Sequence, residues 1–89
     1  MTIDELTPSP WQHAKSFYGK AQVKKDGAIA TLVSYGRESA QVDMTTRKVL
    51  YLDKYTQTTT RHEEAFIDQF TDLGEFHGFP EMKAAVDAQ

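Results

Sequence analysis

The segment His62-Glu63-Glu64-Ala65-Phe66 contains residue types from which zinc-dependent enzymes build a metal site. In such enzymes a helix presents two histidines four residues apart, so that both face one zinc ion. Here the fourth residue after His62 is Phe66, so the second histidine ligand is missing. His62 shares a helical stripe with Phe66 and Phe70, which predicts that it packs and hydrogen-bonds at the edge of the core. We assign no metal ligand.

A run of threonines leads into the same segment, from Thr56 to His62 (TQTTTRH). Hydroxyl and amide side chains before a helix can cap its N–H groups, and several together can hold a phosphate or carboxylate. In an alternative interpretation one threonine caps the helix and the others line a polar loop. The candidate residues for binding an anion or nucleic acid in this segment are Thr58, Thr59, Arg61 and His62.

Other catalytic motifs are incomplete. Residues 32–36 (LVSYG) supply only the second half of the Gly-x-Ser-x-Gly turn that carries the nucleophile of many hydrolases. Residues 18–20 (YGK) lack the flanking glycines and the following helix of a phosphate-binding loop. With no cysteine, the chain has no thiol nucleophile, thiolate zinc site or disulfide. We assign no catalytic residue and no cofactor, and an enzyme centred on His62 remains the third function class.

The formal net charge of −3 combines segments of opposite sign. Residues 1–10 contribute −2. Residues 11–61 contain nine basic and four acidic residues, a balance of +5, whereas residues 62–89 contain one basic and seven acidic residues, a balance of −6. Four of these acidic residues recur at helical spacing: Glu64, Asp68, Asp72 and Glu75. They predict an acidic strip that is either simply solvated or docks on a basic partner surface.

Residues 16–24 (SFYGKAQVK) alternate between apolar and polar side chains, as in a half-buried strand. Tyr18, Lys20 and Lys24 fall on its outward face, which Tyr35 extends. Aromatic rings among lysines can stack bases and contact phosphates, so nucleic-acid binding is the second function class, although the net acidity argues against strong affinity. A protein partner, or a second copy of the chain, explains an outward face with Tyr18 and Tyr35 at least as well.

The periodicities predict an α+β scaffold for these residues. It consists of a four-stranded antiparallel β-meander, one packed amphipathic helix and a short C-terminal helix. Strands are expected at residues 16–24, 28–35, 40–44 and 49–52, with the second turn at residues 36–39. The first helix is expected to begin at a capping box formed by Thr60 and Glu63 and to end at Gly74. Pro80 is expected to open the second helix, which reaches Ala88.

The 89 residues allow one domain with a single core. Residues 1–12 have little periodicity and predict a flexible N-terminal arm, and residues 13–89 form the compact domain. The acidic start lacks the pattern of a signal peptide, and the longest apolar-rich stretch, residues 28–33, is too short to cross a bilayer. We therefore expect a cytoplasmic protein without membrane contact.

Three segments, Ser16-Phe-Tyr-Gly-Lys-Ala21, Leu32-Val-Ser-Tyr35 and Tyr55-Thr-Gln-Thr-Thr-Thr-Arg-His62, carry a resemblance that extends over residues 11–73. The chain resembles a family of short uncharacterised proteins from bacteriophages and their Gram-positive hosts; Lys15 also lies at a position of that pattern. The resemblance implies a phage or prophage context and a non-enzymatic protein. We therefore expect a module that acts by stoichiometric contact with a protein partner, one version being inhibition of a host defence complex.

Overall fold

The computed structural model describes residues 1–12, 17 and 19–89. Five strands form one antiparallel sheet in chain order: β1 (Thr2–Glu5), β2 (Ala21–Asp26), β3 (Ile29–Ser34), β4 (Arg37–Asp43) and β5 (Lys48–Leu52). Two helices follow, α1 (Gln57–Phe70) and α2 (Phe79–Asp87). The predicted α+β class and antiparallel meander are confirmed.

The sheet has one strand more than the four predicted. β1 pairs antiparallel with β2, with Thr2 opposite Lys25 and Glu5 opposite Gln22. All four side chains of β1 are exposed, so no apolar alternation marks it as a strand, and its pairing depends on backbone hydrogen bonds. Leu6 directly follows it and is buried in the core. The extra strand therefore lies within residues 1–12, the segment assigned to the arm.

The hairpin between β3 and β4 turns at Tyr35 and Gly36. Both residues have positive φ, 51° and 76°, a conformation typical of two-residue hairpin turns. The turn lies earlier than the predicted residues 36–39 because Arg37 already pairs with Ser34. A left-handed backbone conformation costs a non-glycine residue about 1–2 kcal/mol. The contacts of the folded chain must therefore offset this cost at Tyr35.

The core lies between one face of the sheet and the two helices. The register aligns Val23, Leu32, Ala40 and Leu52 across β2 to β5, and all four side chains are buried. The apolar side of α1 covers this row with three fully buried residues: Ala65, Phe66 and Ile67. Burial of each large apolar side chain contributes about 1.5–3 kcal/mol, so this contact fixes α1 on the sheet.

The first helix begins one turn earlier than predicted. Thr56 is its N-cap, and the Thr56 Oγ1 atom accepts a hydrogen bond from the backbone N–H of Thr59 at 3.1 Å. The capping box assigned to Thr60 and Glu63 is therefore wrong, because both residues lie inside the helix and are buried. Of several threonines in a row, tertiary packing selects the one that caps.

The end of α1 also differs from the prediction. The helix stops at Phe70, and Thr71 is its C-cap, with a hydroxyl that donates to the Ile67 carbonyl at 2.7 Å. Gly74, the predicted end, lies in the connection to α2. The second helix has Pro80 in its first turn, as predicted.

The outer edge of β5 is covered by a side chain from the C-terminus. The Gln89 amide accepts a hydrogen bond from the Val49 N–H at 3.0 Å and donates one to the Val49 carbonyl. It thus occupies backbone groups that an edge strand otherwise presents to other chains. Neither described helix is long and apolar enough to span a bilayer.

Candidate functional site

A buried hydrogen-bond network joins the end of β3 to the first turns of α1. The Ser34 Oγ atom lies 2.7 Å from His62 Nδ1 and 3.0 Å from Thr59 Oγ1. Thr56 Oγ1 donates to Thr59 Oγ1 at 3.3 Å, so the network extends to the residue before α1. Buried polar groups that are satisfied in this way give a contact a defined geometry.

The His62 ring is held between two aromatic side chains. The Phe17 ring meets it edge-on, with centroids 4.6 Å apart, and the Tyr35 ring stacks on it at 5.6 Å. His62 has no exposed surface. The structure therefore places this candidate anion ligand beneath the surface, where it packs and hydrogen-bonds.

Above the network lies a cleft of about 430 Å³, which we call the α1 cleft. It is formed by the β3–β4 turn, the segment after β5 and the first turn of α1, and its lining residues are Ser34, Tyr35, Arg37, Tyr55, Thr56, Thr58 and Thr59. Two of the predicted anion-binding residues, Thr58 and Thr59, line it, as does the predicted protein-binding residue Tyr35. Aromatic walls combined with a few polar groups are typical of binding sites.

The α1 cleft has a cationic side. The Arg37 guanidinium lies over the Tyr55 ring, 4.6 Å from its centroid, and Lys20 Nζ lies 5.8 Å from the centroid of Tyr35. Stacking of this kind orients a cation while its N–H groups remain free to bind. Together with the threonine hydroxyls, these cations complement an acidic group.

Arg61 lies in a second, smaller cleft of about 240 Å³ that the prediction did not separate from the first. Its lining residues are Gln57, Thr60, Arg61, Glu64, His77 and Gly78. Burial raises the pKa of Glu64, an effect that the Gly78 backbone, His77 and Arg61 oppose. Arg61 therefore faces an acidic neighbour here and does not line the α1 cleft.

The four carboxylates of the predicted acidic strip do not form one helical face. Glu64 is buried, and Asp68 accepts a hydrogen bond from the Ser9 hydroxyl at 2.7 Å. The other two lie beyond the end of α1, where Asp72 pairs with Arg47 at 3.2 Å and Glu75 with His77 at 2.8 Å. Asp72 and Glu75 do not lie on the same helical face as the other two carboxylates, because α1 ends at Phe70.

The sheet face opposite the helices carries Lys24, which pairs with Glu38 at 2.6 Å. The hydrogen bond and charge of Glu38 raise the Lys24 pKa. Lys20 contacts Tyr35 at the α1 cleft instead, so the two lysines have different neighbours. Tyr18 lies outside the described residues.

Four residues that line the α1 cleft were not predicted as site residues: Ser34, Arg37, Tyr55 and Thr56. In the sequence Ser34 belongs to an incomplete nucleophile motif and to one segment of the family resemblance. The proximity of the Ser34-Tyr35 pair to the threonine run was not apparent, because the two segments meet only when α1 packs back on β3. Among the described residues, no group of three or more histidine or acidic side chains is arranged to hold a metal ion.

The sequence model of a family of unknown function (DUF8033) matches residues 5–80. No curated protein and no solved structure matches significantly.

Proposed function

The chain belongs to the family of unknown function DUF8033, and we propose that it is a non-enzymatic module that binds a protein partner stoichiometrically through the α1 cleft. The phage or prophage origin implied by the sequence resemblance is part of this proposal. It makes a host protein the candidate partner.

One observation carries the proposal: three segments that are distant in the sequence meet at one place. Ser34 and Tyr35 line the α1 cleft with Tyr55 and the threonine run, and Phe17 and Lys20 contact the rings beneath and beside it. These are the segments that carry the family resemblance. If these segments only stabilised the fold, their tyrosines would not need to be exposed. The exposed fraction is 51% for Tyr35 and 37% for Tyr55.

The chemistry of the α1 cleft favours an acidic segment as its ligand. Arg37 and Lys20 supply positive charge, and Thr58 lies half-exposed in the first turn of α1, where backbone N–H groups also face an incoming acceptor. The rings of Tyr35 and Tyr55 add apolar contact area, as aromatic residues do in the centres of protein interfaces. A glutamate or aspartate side chain flanked by apolar residues matches these groups.

Affinity capture with two matched variants tests the proposal. Thr58→Glu places a carboxylate in the α1 cleft, and Gln57→Glu places one a residue earlier, where the side chain lines the second cleft. An acidic residue in the first turn favours a helix by about 0.3–1 kcal/mol, so both variants should fold. We expect wild type and Gln57→Glu to retain the same partner from a lysate of the source organism and Thr58→Glu to lose it.

A double charge reversal at Asp72 and Glu75, the two exposed members of the predicted acidic strip, completes the series. Loss of the partner in this variant, with retention in Thr58→Glu, would transfer the binding surface to the acidic residues and contradict the proposal. Calorimetry with the purified partner should give one partner per chain.

The 2.7 Å contact between Ser34 Oγ and His62 Nδ1 favours a second candidate, a serine hydrolase. Ser34 lines the α1 cleft, but His62 is fully buried behind it, so the ring has no path to protonate a leaving group. Covalent labelling of Ser34 by a fluorophosphonate probe, absent in Ser34→Ala, would establish this candidate over the binding module.

A further inference from the structure

Glu63 is a buried acid that the α1 cleft does not use. It lies on the side of α1 that packs on the sheet, has no exposed surface, and neither carboxyl oxygen has a hydrogen-bond partner among the described residues. Ser39 on β4 is equally buried, and its hydroxyl is unpartnered too. Two unsatisfied polar groups therefore lie at the contact between helix and sheet, where most buried polar groups are paired.

The surroundings of Glu63 oppose its negative charge. Burial raises its pKa to about 8, and the nearby Ser39 hydroxyl offsets this only in part, since the two groups do not meet in standard hydrogen-bond geometry. The charged groups that act on it are Asp53, in the segment after β5, and Glu64, its neighbour on α1. Both are acidic and raise the pKa further, and no cation among the described residues lowers it.

We propose that Glu63 is a proton-dependent latch between α1 and the sheet. As a neutral acid it costs much less to bury in the core than as a carboxylate. As a carboxylate it is an unpaired charge in an apolar contact. The cost of burying that charge favours separation of α1 from β4. Because Thr59 and His62 belong to the same turns of α1, release of the latch also opens the network below the α1 cleft. The latch does not depend on that cleft having a partner.

The direction of the pH effect follows from the two states of the chain. In the unfolded chain Glu63 ionises near its ordinary value of 4.5, and in the folded chain near 8. Stability is highest below pH 4.5, where Glu63 is protonated in both states, and it falls as the pH rises towards 8 because the unfolded chain ionises first. Across this window the folded state holds one proton more, so the folding equilibrium constant falls about tenfold per pH unit.

The test compares wild type with Glu63→Gln, a neutral side chain of the same shape. Urea unfolding is measured from pH 5 to pH 9, and the wild-type curve is read relative to the variant so that all other carboxyl groups cancel. We expect the wild-type equilibrium constant to fall relative to Glu63→Gln up to about pH 8 and then to level. Glu81→Gln, an exposed position in α2, serves as the control and should parallel wild type.

A second measurement needs no variant. Carbon-13 NMR of the Glu63 side-chain carboxyl in wild type should show a titration midpoint near 8. A midpoint near 4.5, or parallel unfolding profiles for wild type and Glu63→Gln, would overturn the latch.

Discussion

Ser34 and His62 lie 28 positions apart in the chain and share a hydrogen bond of 2.7 Å at the junction of β3 and α1. The contact links the last residue of a strand to the second turn of a helix. Since Tyr35 follows Ser34 and stacks on the His62 ring, the same link orients one wall of the α1 cleft. Packing and candidate function therefore depend on the same pair.

Removal of the Ser34 hydroxyl should destabilise the fold. In Ser34→Ala, His62 Nδ1 and Thr59 Oγ1 each lose a buried partner. A buried hydrogen bond has a net contribution of about 0.5–1.5 kcal/mol, so the loss of two should lower the free energy of unfolding, measured in urea, by about 1–3 kcal/mol.

Ser39→Ala provides the matched control for Ser34→Ala. Ser39 is as deeply buried, but its hydroxyl has no partner among the described residues, so the change should be neutral or slightly stabilising. Equal losses in the two variants would contradict the network.

The N-cap of α1 can be tested separately. Thr56→Ala removes the N-cap of α1 and should cost about 1 kcal/mol, whereas Thr60→Ala leaves the cap intact. Amide hydrogen exchange in the first turn should accelerate in Thr56→Ala alone. Faster exchange only in Thr60→Ala would show that Thr60 is the N-cap, as predicted from the sequence.

Gln89→Ala should expose the edge of β5. The variant loses both hydrogen bonds to Val49, each with a net contribution of about 0.5–1.5 kcal/mol. We expect faster hydrogen exchange at the Val49 amide and unchanged exchange at the Leu32 amide in the centre of the sheet. Unchanged exchange at Val49 would show that the side chain does not protect the edge.

At neutral pH, replacement of the buried acid should raise stability. Glu63→Gln removes the cost of burying Glu63 as a neutral acid at pH 7, which lies about 2.5 units above its pKa in the unfolded chain; at 1.4 kcal/mol per unit this cost is about 3 kcal/mol. Thermal unfolding should occur at a higher temperature in the variant at pH 7 and at a similar temperature to wild type at pH 4.5. A lower melting temperature at pH 7 would indicate that Glu63 is ionised and paired in the folded protein.

The meander and the two helices were predictable because alternation and helical spacing depend on neighbouring residues. The alternation in the strands and the helical spacing in α1 assign three of the residues that the structure buries in the core: Val23, Leu32 and Phe66. β1 was missed because its exposed side chains have no apolar period, and the helix boundaries were misplaced because several threonines compete for one cap. Tertiary contacts decide such choices.

The candidate site was predictable only in part, for the same physical reason. Thr58, Thr59 and Tyr35 were identified from residue type, but their convergence with Arg37 and Tyr55 requires α1 to fold back on the sheet. The acidic strip assumed that the helix continues through Asp72. Glu63 was assigned to a cap because a sequence pattern does not distinguish a carboxylate that caps a helix from one buried beneath it.

The dissociation constant of the captured partner for two charge-reversed variants distinguishes the α1 cleft from the open face of the sheet as the binding surface. Arg37 lines the α1 cleft, and Lys24 lies on the sheet face in a pair with Glu38. We predict that Arg37→Glu weakens binding at least about tenfold and that Lys24→Glu changes it less than about twofold. Tight binding by Arg37→Glu together with a large loss of affinity in Lys24→Glu would contradict binding at the α1 cleft and assign it to the open face of the sheet.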